Sequence, residues 1–178
     1  MSSGSPTSEE GKLCSKTSLI PAFVRFINFT KYKVRIYWLD YEGKKRLYNT
    51  IGPGDFLDVN TFVTHLWIFE NNDNGDRFMG EWNFVFYPQS WKKENELARK
   101  IEPRFQGTEV AIRRIIPITY PLYSLKMRSL QVIRDLVSSI EDVAYLDLPI
   151  SLKEELQALI RRKFCTLNHK PYCNVCPF

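Results

Sequence analysis

From residue 21 to residue 88 the chain alternates between short runs of aromatic and β-branched residues and segments rich in Gly, Pro, Asn and Asp. The segments YEGKK, GPGD and NNDNGD carry the residues that tight turns require. Short runs at this spacing predict strands joined by turns, and such strands typically form an antiparallel sandwich or barrel. We therefore predict strands at residues 22–29, 34–41, 46–52, 55–63, 65–70 and 78–88.

A charged stretch, residues 90–107, interrupts this pattern. We interpret it as an insertion that forms a short surface helix before Pro103, because proline disfavours a helical conformation in the residue that precedes it. Strand composition resumes in residues 108–120, TEVAIRRIIPITY. The predicted β-sandwich domain therefore spans residues 21–120, with the insertion inside it.

Beyond Pro121 the apolar residues recur every three or four positions, which predicts an amphipathic helix. Its stripe consists of Leu125, Ser129, Leu130, Ile133, Leu136 and Val137. A further helix is predicted to begin at Ser151, where Ser151 and Glu154 match a capping box. Together these segments predict a helical domain over residues 121–164, too small to be stable unless it packs on the β domain or on another protein.

The composition restricts the class of protein. With 44% hydrophobic and 25% charged residues, the chain is globular rather than disordered. A net charge of +5 would suit a nucleic-acid binder, but basic and acidic residues are interleaved, so no nucleic-acid partner is predicted. No stretch has the length and apolar content of a membrane span or a signal peptide, so we expect an intracellular protein without a membrane partner.

The two ends of the chain differ from its centre. Residues 1–20 are mostly small and polar and show no periodic pattern of apolar residues, which predicts a flexible arm. The four cysteines lie outside the central β region, so no disulfide framework is predicted. A tail, residues 165–178, holds four side chains of types that bind zinc: Cys165, His169, Cys173 and Cys176. Free thiols in a frayed tail are the commoner case, so we predict neither a metal nor any other cofactor.

The chain offers little for catalysis. It has two histidines, His65 and His169, and it lacks a nucleophile elbow, a Walker loop, a dinucleotide fingerprint and a paired-histidine metal motif. We therefore expect a non-enzymatic protein.

Polar and aromatic side chains recur in the β region. His65 and Trp67 are two positions apart and share one face of a strand, Thr61 is also an even number of residues away, and Trp38 and Tyr48 precede them. One interpretation is that these rings are sandwich core and that His65 is a structural histidine. The other is a pocket with apolar walls and a hydrogen-bonding floor, suited to a compact ligand with one hydroxyl. The residues alone leave both interpretations open.

Three segments resemble, in order and nearly in register, the von Hippel-Lindau protein family: TKYKVRIYWLDYEGKKRLY, GPGDFLDVNTFVTHLWIF and YPLYSLKMRSLQVIRDLV. The resemblance extends over residues 21–160. It implies an α+β fold in which an antiparallel β-sandwich is followed by a small three-helix domain. It also implies a substrate-recognition subunit of a cullin-RING ubiquitin ligase, found in the cytoplasm and the nucleus.

In that family the β domain binds the hypoxia-inducible factor α subunit through a hydroxylated proline. The positions that match the family's pocket are Trp38, Tyr48, His65 and Trp67, and Thr61 stands where the family has a serine. The resemblance implies that the rings pack on the pyrrolidine while His65 and Thr61 bond the added hydroxyl. Asn60 and Phe62 depart from the family at positions that contact the flanking peptide, which implies a different reading of the residues around the hydroxyproline.

The predicted helix after residue 124 is similar to the family's box for elongin C, which associates with elongin B. The matching residues are Leu125, Ser129, Leu130 and Ile133, with Ser129 in place of a cysteine. A later segment is similar to the family's contact with cullin, which carries a RING-box protein; it comprises Leu148, Pro149, Ile150 and Leu152. An ordinary amphipathic helix has the same spacing, and Leu-Pro is common before helices.

Two alternative functions belong to different classes. The first is a non-enzymatic scaffold whose sandwich binds unmodified cytoskeletal or matrix-related partners and whose aromatic set is plain core. The second is a small zinc-dependent enzyme, which requires a metal in the tail and a substrate pocket beside it. Nothing in the sequence brings those two features together.

Overall fold

The computed structural model describes residues 13–101 and 111–167. Its strands are β1 (Pro21–Asn28), β2 (Val34–Leu39), β3 (Lys45–Ile51), β4 (Phe56–Phe62), β5 (Leu66–Asn71), β6 (Arg77–Gly80) and β7 (Arg114–Thr119). Helix α1 (Trp91–Ile101) lies between β6 and β7, and α2 (Leu125–Leu136), a 3-10 helix (Glu141–Tyr145) and α3 (Ile150–Leu167) follow. The predicted fold class, a β domain followed by three helices, is confirmed.

The seven strands form one curled sheet in the order β3-β2-β5-β6-β7-β1-β4. Strand β6 joins its two halves, because Arg77 and Phe78 pair with β5 whereas Met79 and Gly80 pair with β7. All neighbours are antiparallel except β1 and β7, which are parallel. The parallel pair is possible because β1 and β7 are not joined by a tight turn: strands β2–β6 and helix α1 lie between them along the chain.

The two halves of the sheet face each other across an aromatic core. Phe26 of β1 lies 5.5 Å from Trp67 and 5.0 Å from Phe69 between ring centroids, although β1 and β5 are not neighbours in the sheet. Every second residue of β1 is buried against this core, whereas β5 is buried at all its positions. The alternating burial of β1 is that of a strand with one covered face, whereas the continuous burial of β5 is that of a strand covered on both faces.

Strand β6 ends at Gly80, so the strand predicted over residues 78–88 is wrong beyond that residue. Glu81 and Trp82 have positive φ values of 49° and 68°, and Gly80 and Asn83 exchange backbone hydrogen bonds across them. Such a two-residue turn normally contains Asn or Gly, so neither Glu nor Trp signals it in the sequence. The chain reverses here, and Phe86 returns to bond with the backbone of β5.

Helix α1 confirms the helix predicted within the charged stretch; residues 102–110 of that stretch lie outside the described residues. Its Glu94 is buried and pairs with Arg114 of β7 at 2.5 Å, which attaches the helix to the sheet.

The three C-terminal helices share a small core of their own. Leu130, Val143, Leu156, Leu159 and Ile160 are its buried members. Helix α2 begins after Ser124, whose hydroxyl accepts a hydrogen bond from the backbone N–H of Met127 at 3.2 Å. This is the N-cap bond that favours Ser before a helix.

Two boundaries predicted for α3 are corrected. The helix begins at Ile150, so Ser151 lies inside it rather than at its cap, and the carbonyl of Pro149 accepts from the backbone N–H groups of Leu152 and Lys153. The helix also continues to Leu167, so Cys165 belongs to α3 rather than to a separate tail.

The helical unit packs on the β domain, as its small size requires. Arg134 of α2 is buried and pairs with Asp76 at 2.5 Å, and Arg35 of β2 donates to the carbonyl of Thr166 at 3.1 Å. Gly75 has a φ of 71°, and a Cβ atom there would collide with the Thr166 hydroxyl. The junction therefore depends on buried charge and on close backbone approach rather than on apolar burial alone.

The predicted flexible arm ends earlier than residue 20. Residues 13–20 run along the β domain, where the N–H of Ser15 donates to Asp40 and the N–H of Lys16 donates to Thr64. Residues 1–12 lie outside the described residues. Within the described ranges, no helix combines the length and the apolar composition that a bilayer span needs.

Candidate functional site

The candidate site lies where the curled sheet remains open. Strands β3 and β4 are its two edges, and each pairs with a single neighbour among the described strands. The side chains of both edges meet at one ring: Tyr48 of β3 lies 5.1 Å from Trp67, and Thr61 of β4 bonds the Trp67 indole. We call this opening the seam, and the seam pocket is the set Trp38, Tyr48, Thr61, His65 and Trp67.

Trp67 belongs both to the core and to the pocket. Its side chain is 2% exposed and packs on Phe26 from inside the sheet. On the seam side its Nε1–H donates to Thr61 Oγ1 at 3.1 Å, and the Tyr48 ring contacts it edge-on. The two interpretations of the aromatic set are therefore not exclusive for this residue.

Tyr48 reaches the pocket through a β-bulge. The register between β2 and β3 shifts between Ile36 and Tyr37, whose partners are Asn49 and Leu47, so Tyr48 is the extra residue. Bulges bend a strand and redirect its side chains. Tyr48 remains 52% exposed, which leaves its ring available to a ligand.

His65 is connected to both sides of the pocket by hydrogen bonds. Its Nδ1 lies 3.3 Å from Thr61 Oγ1, and its Nε2 lies 2.9 Å from the hydroxyl of Ser18. The Ser18 hydroxyl is in turn 2.9 Å from that of Tyr41. The imidazole thus has one polar partner in the pocket and another in the N-terminal segment.

Aromatic rings surround the imidazole. Trp38 and Phe62 each lie 5.1 Å from His65 between ring centroids, and Tyr41 lies 6.1 Å away. Burial among these rings lowers the pKa of His65 below its ordinary value, because a desolvated imidazole loses less by staying neutral. A neutral imidazole offers one nitrogen as an acceptor, which a hydroxyl-binding site can use.

The arrangement suits a compact apolar ring that carries one hydroxyl. The faces of Trp38, Tyr48 and Trp67 can cover C–H surface, while Thr61 and His65 lie close enough together for one oxygen to bond both. Thr61 is 3% exposed, and its hydroxyl lies 3.3 Å from His65 Nδ1, a long hydrogen bond that a ligand oxygen bonded to both groups can replace.

The structure brings all five predicted pocket residues together and adds neighbours that the sequence analysis did not identify. Ser18, Tyr41 and Phe62 complete the surroundings of His65. Phe62 had been noted only as a departure from the family, and Asn60 bonds Arg113 at 2.8 Å. No local pattern signals Ser18, because it meets His65 across 47 residues of chain.

Helix α2 presents a second candidate surface. Leu125, Val132 and Leu136 are exposed by 84%, 52% and 78%, and with the exposed Ser129 they recur at intervals of three and four residues on one face. We call this face the α2 stripe. Leu130, predicted as a partner contact, is 2% exposed in the helical core, and Ile133 packs partly against that core. Leu130 therefore does not belong to an exposed docking surface.

The segment predicted to contact cullin is divided in the same way. Pro149 and Ile150 are exposed, the latter by 77%, whereas Leu148 packs against the helical core and Leu152 is half-buried. Only Pro149 and Ile150, where α3 begins, are open to a partner.

Most of the possible zinc ligands lie outside the described residues, namely His169, Cys173 and Cys176. Cys165 is half-buried in α3. Within residues 13–101 and 111–167, no group of three His, Cys, Asp or Glu side chains is arranged to hold a metal ion.

Comparison with known proteins gives matches to two family models. Residues 13–94 match the VHL beta domain, and residues 123–161 match the VHL box domain. The chain is also 27% identical over 110 residues to Protein Vhl of Drosophila melanogaster, an alignment that covers 60% of this chain and 57% of that protein. The matched part thus spans a little over half the length of this relative.

Proposed function

The chain belongs to the von Hippel-Lindau family, and from this membership we propose that it is the substrate-recognition subunit of a cullin-RING ubiquitin ligase. In this role the chain breaks and forms no bonds itself. The β domain binds the substrate, and the helical unit binds the proteins that deliver ubiquitin. The two family matches, one on each unit, support this division of labour.

The proposed substrate is a prolyl-hydroxylated segment of the hypoxia-inducible factor α subunit, bound for ubiquitination and proteasomal degradation. The hydroxyproline enters the seam pocket, its ring against Tyr48 and Trp67 and its hydroxyl between Thr61 and His65. An unmodified proline leaves the Thr61 hydroxyl and His65 Nδ1 without a new partner. A site built around a hydroxyl discriminates against the analogue that lacks it, because the analogue shields these polar groups from water and leaves them only their long 3.3 Å bond to each other.

The peptide backbone has an edge available beside the pocket. Thr61 lies in β4, whose outer edge has no strand partner among the described residues. Extended peptides commonly add to such an edge, where main-chain bonds supply affinity and side-chain pockets supply selection. We infer that the substrate segment lies along β4 with its hydroxyproline in the seam.

The proposed ligase partners dock on the helical unit. Elongin C, together with elongin B, covers the α2 stripe, whose exposed Leu125, Val132 and Leu136 otherwise face solvent. Ser129 lies in the middle of that stripe, where the family has a cysteine. Cullin, with its RING-box protein, contacts the exposed Pro149 and Ile150 at the start of α3.

One observation carries the proposal: the Thr61 hydroxyl and His65 Nδ1 converge within 3.3 Å at the centre of an aromatic pocket. A plain core would bury apolar groups there. Two hydrogen-bonding groups beside the exposed Tyr48 instead match a ligand with one hydroxyl.

The test is calorimetric binding of the full chain, purified with elongins B and C, to paired peptides that differ only in the hydroxylation of one proline. We expect the hydroxylated peptide to bind at least about a hundredfold more tightly. His65→Ala is expected to abolish that preference, and Tyr48→Ala to weaken binding of the hydroxylated peptide.

The matched control is Tyr87→Ala, because Tyr87 is 53% exposed, nearly the same as Tyr48, and forms none of the ring contacts of the seam pocket. The Tyr87→Ala variant should bind the hydroxylated peptide as tightly as the protein without substitutions does. Trp67 is unsuitable for this test, since its loss would also empty the core. Equal affinity for the two peptides, or no binding, would contradict the proposal and favour a scaffold for unmodified partners.

A further inference from the structure

The N-terminal segment, residues 13–20, reaches the seam pocket with a single side chain. Ser18 places its hydroxyl 2.9 Å from His65 Nε2, on the side of the imidazole opposite Thr61. The same hydroxyl lies 2.9 Å from that of Tyr41. Every nitrogen of His65 therefore has a polar partner, one from β4 and one from the N-terminal segment.

Hydrogen bonds on both sides of Ser18 hold the segment in position. Before it, the N–H of Lys16 donates to the carbonyl of Thr64 at 3.2 Å, and the Thr64 hydroxyl donates to the carbonyl of Thr17 at 2.8 Å. After it, the N–H of Val63 donates to the carbonyl of Ile20 at 3.0 Å. All three bonds join the segment to the residues around His65, so Ser18 and His65 are positioned by the same stretch of backbone.

Hydrogen bonds link Trp67, Thr61, His65 and Ser18 in that order, and the donor and acceptor in each bond follow from the buried Trp67 indole. The Trp67 indole can only donate, so Thr61 Oγ1 accepts from it. The buried Thr61 hydroxyl then has its own proton to place, and among the described residues the acceptor within reach is His65 Nδ1. A neutral imidazole that accepts at Nδ1 carries its proton on Nε2, and that proton points at Ser18.

We propose that Ser18 is a positioning residue that stabilises the His65 tautomer selected by Thr61, keeping the proton on Nε2 and the acceptor Nδ1 directed into the seam pocket. In this arrangement the Ser18 hydroxyl accepts from Nε2–H, and it lies within hydrogen-bonding distance of the Tyr41 hydroxyl. This inference rests on the proposed function, since it specifies how the pocket reads a hydroxyl.

The tautomer determines what the pocket recognises. With Nδ1 as acceptor and the Thr61 hydroxyl as donor, the site complements a ligand hydroxyl that donates one bond and accepts another. With the proton on Nδ1, the imidazole offers a donor in place of an acceptor, and the ligand's own proton can be accepted only by Thr61 Oγ1, which already accepts from the Trp67 indole. The N-terminal segment thus contributes to the preference for a hydroxylated ligand although it lines none of the pocket walls.

The first arm of the test observes the tautomer without a ligand. Nitrogen-15 spectra of the histidine side chains are recorded for the full chain with elongins B and C, with His169→Gln used to assign the signals of His65. We expect the Nε2–H form in the unmodified protein and a measurable population of the Nδ1–H form in Ser18→Ala. Ser18→Thr retains a hydroxyl and should retain the Nε2–H form.

The second arm measures the ratio of affinities for the paired hydroxylated and unhydroxylated peptides. We expect that ratio to fall about tenfold in Ser18→Ala, on the scale of one lost hydrogen bond, and to be restored in Ser18→Thr. Thr17→Ala is the matched control, because the exposed Thr17 contributes only its backbone carbonyl to the contact with Thr64. It should change neither the spectra nor the ratio.

The outcomes separate this inference from the proposed function. An unchanged tautomer or an unchanged affinity ratio in Ser18→Ala overturns the positioning role while leaving hydroxyproline recognition intact. If the unmodified protein shows no preference between the peptides, the proposed function fails, and the spectra alone then decide whether Ser18 stabilises the tautomer.

Discussion

In the proposed function, hydroxyl recognition depends on His65, and the surroundings of this residue set its protonation state. Burial among Trp38, Phe62 and its other aromatic neighbours lowers its pKa, so the imidazole is neutral at and somewhat below neutral pH. Neutrality is what the proposed site needs, because a protonated imidazole carries hydrogens on both nitrogens and has no acceptor to offer a ligand.

Peptide affinity is therefore predicted to depend on pH with a definite sign. The affinity for the hydroxylated peptide stays constant around neutral pH and falls as the pH drops through the lowered pKa of His65, which lies below 6.5. Below that point it decreases by up to about tenfold per pH unit, since one proton must be released for binding. The measurement is calorimetric titration of the hydroxylated peptide at a series of pH values.

The control for this series is His65→Gln, which has no titrating side chain and should remove the pH-dependent part. The same protonation also destabilises the fold, because the unfolded chain binds the proton more readily than the folded one. Circular dichroism at each pH establishes that the protein is folded when binding is measured. A hydroxylated-peptide affinity that rises as the pH falls would contradict the neutral-imidazole mechanism.

Helix α2 shows how one element can serve two surfaces. The apolar period of three to four residues was evident in the sequence, but apolar residues lie on two faces of the helix, one buried and one exposed. Leu130 enters the helical core, whereas Leu125, Val132 and Leu136 form the exposed stripe. The apolar period and the resemblance to the elongin C box both selected Ile133, yet Ile133 lies about 100° from Val132 around the helix and packs partly inward.

The two faces are predicted to respond differently to the same substitution. Leu136→Ala should weaken binding to elongin C about tenfold, within the range for burying one leucine, and leave the stability of the chain nearly unchanged. Leu130→Ala should instead destabilise the helical unit by about 2–5 kcal/mol, since it leaves a cavity in a small core. Binding of each variant to immobilised elongin C measures the change in affinity, and denaturant unfolding of the chain measures the change in stability.

Retained elongin C affinity in Leu136→Ala would exclude the α2 stripe as the docking surface. A marked loss of stability in that variant would mean that Leu136 is a structural residue in solution.

At the scale of the whole molecule, the two units are joined by polar contacts. The Arg134 side chain is 1% exposed and its partner Asp76 is 13% exposed, so most of this ion pair is removed from water. Arg35 adds a bond to the end of α3, and Gly75 allows that helix to approach the β domain. Such contacts set the orientation of the helical unit relative to the seam pocket, which in the proposed function determines how substrate is presented to the ubiquitin-transfer machinery.

Arg134→Ala is predicted to destabilise the protein by about 3–5 kcal/mol, because it leaves the Asp76 carboxylate partly buried without its partner. Chemical unfolding monitored separately in the β domain and in the helical unit should show both the loss of stability and a loss of cooperativity between the units. The matched control is Lys44→Ala, which breaks a pair with Glu42 that lies in solvent and should have little effect. Equal stability of the two variants would show that the junction does not depend on the buried pair.

The sequence by itself determined the features that depend on neighbours along the chain. Short runs of aromatic and β-branched residues located the strands, an apolar period of three to four residues located α2, and the turn residues located most of the reversals. Resemblance to a family supplied the five seam-pocket residues. The turn at Glu81 and Trp82 was missed because neither residue is typical of positive φ. The capping box at Ser151 was misplaced because the helix already begins at Ile150, where the Pro149 carbonyl accepts its first hydrogen bonds.

The tertiary structure alone decided what depends on residues far apart in sequence. The parallel pairing of β1 with β7, the meeting of β3 and β4 at Trp67, and the bond from Ser18 to His65 each join segments separated by many residues. Local periodicity records which face of an element is apolar, but it does not record which partner covers that face. That choice belongs to the packing of the whole chain, which is why the seam pocket could be recognised from the sequence while the residue that orients its histidine could not.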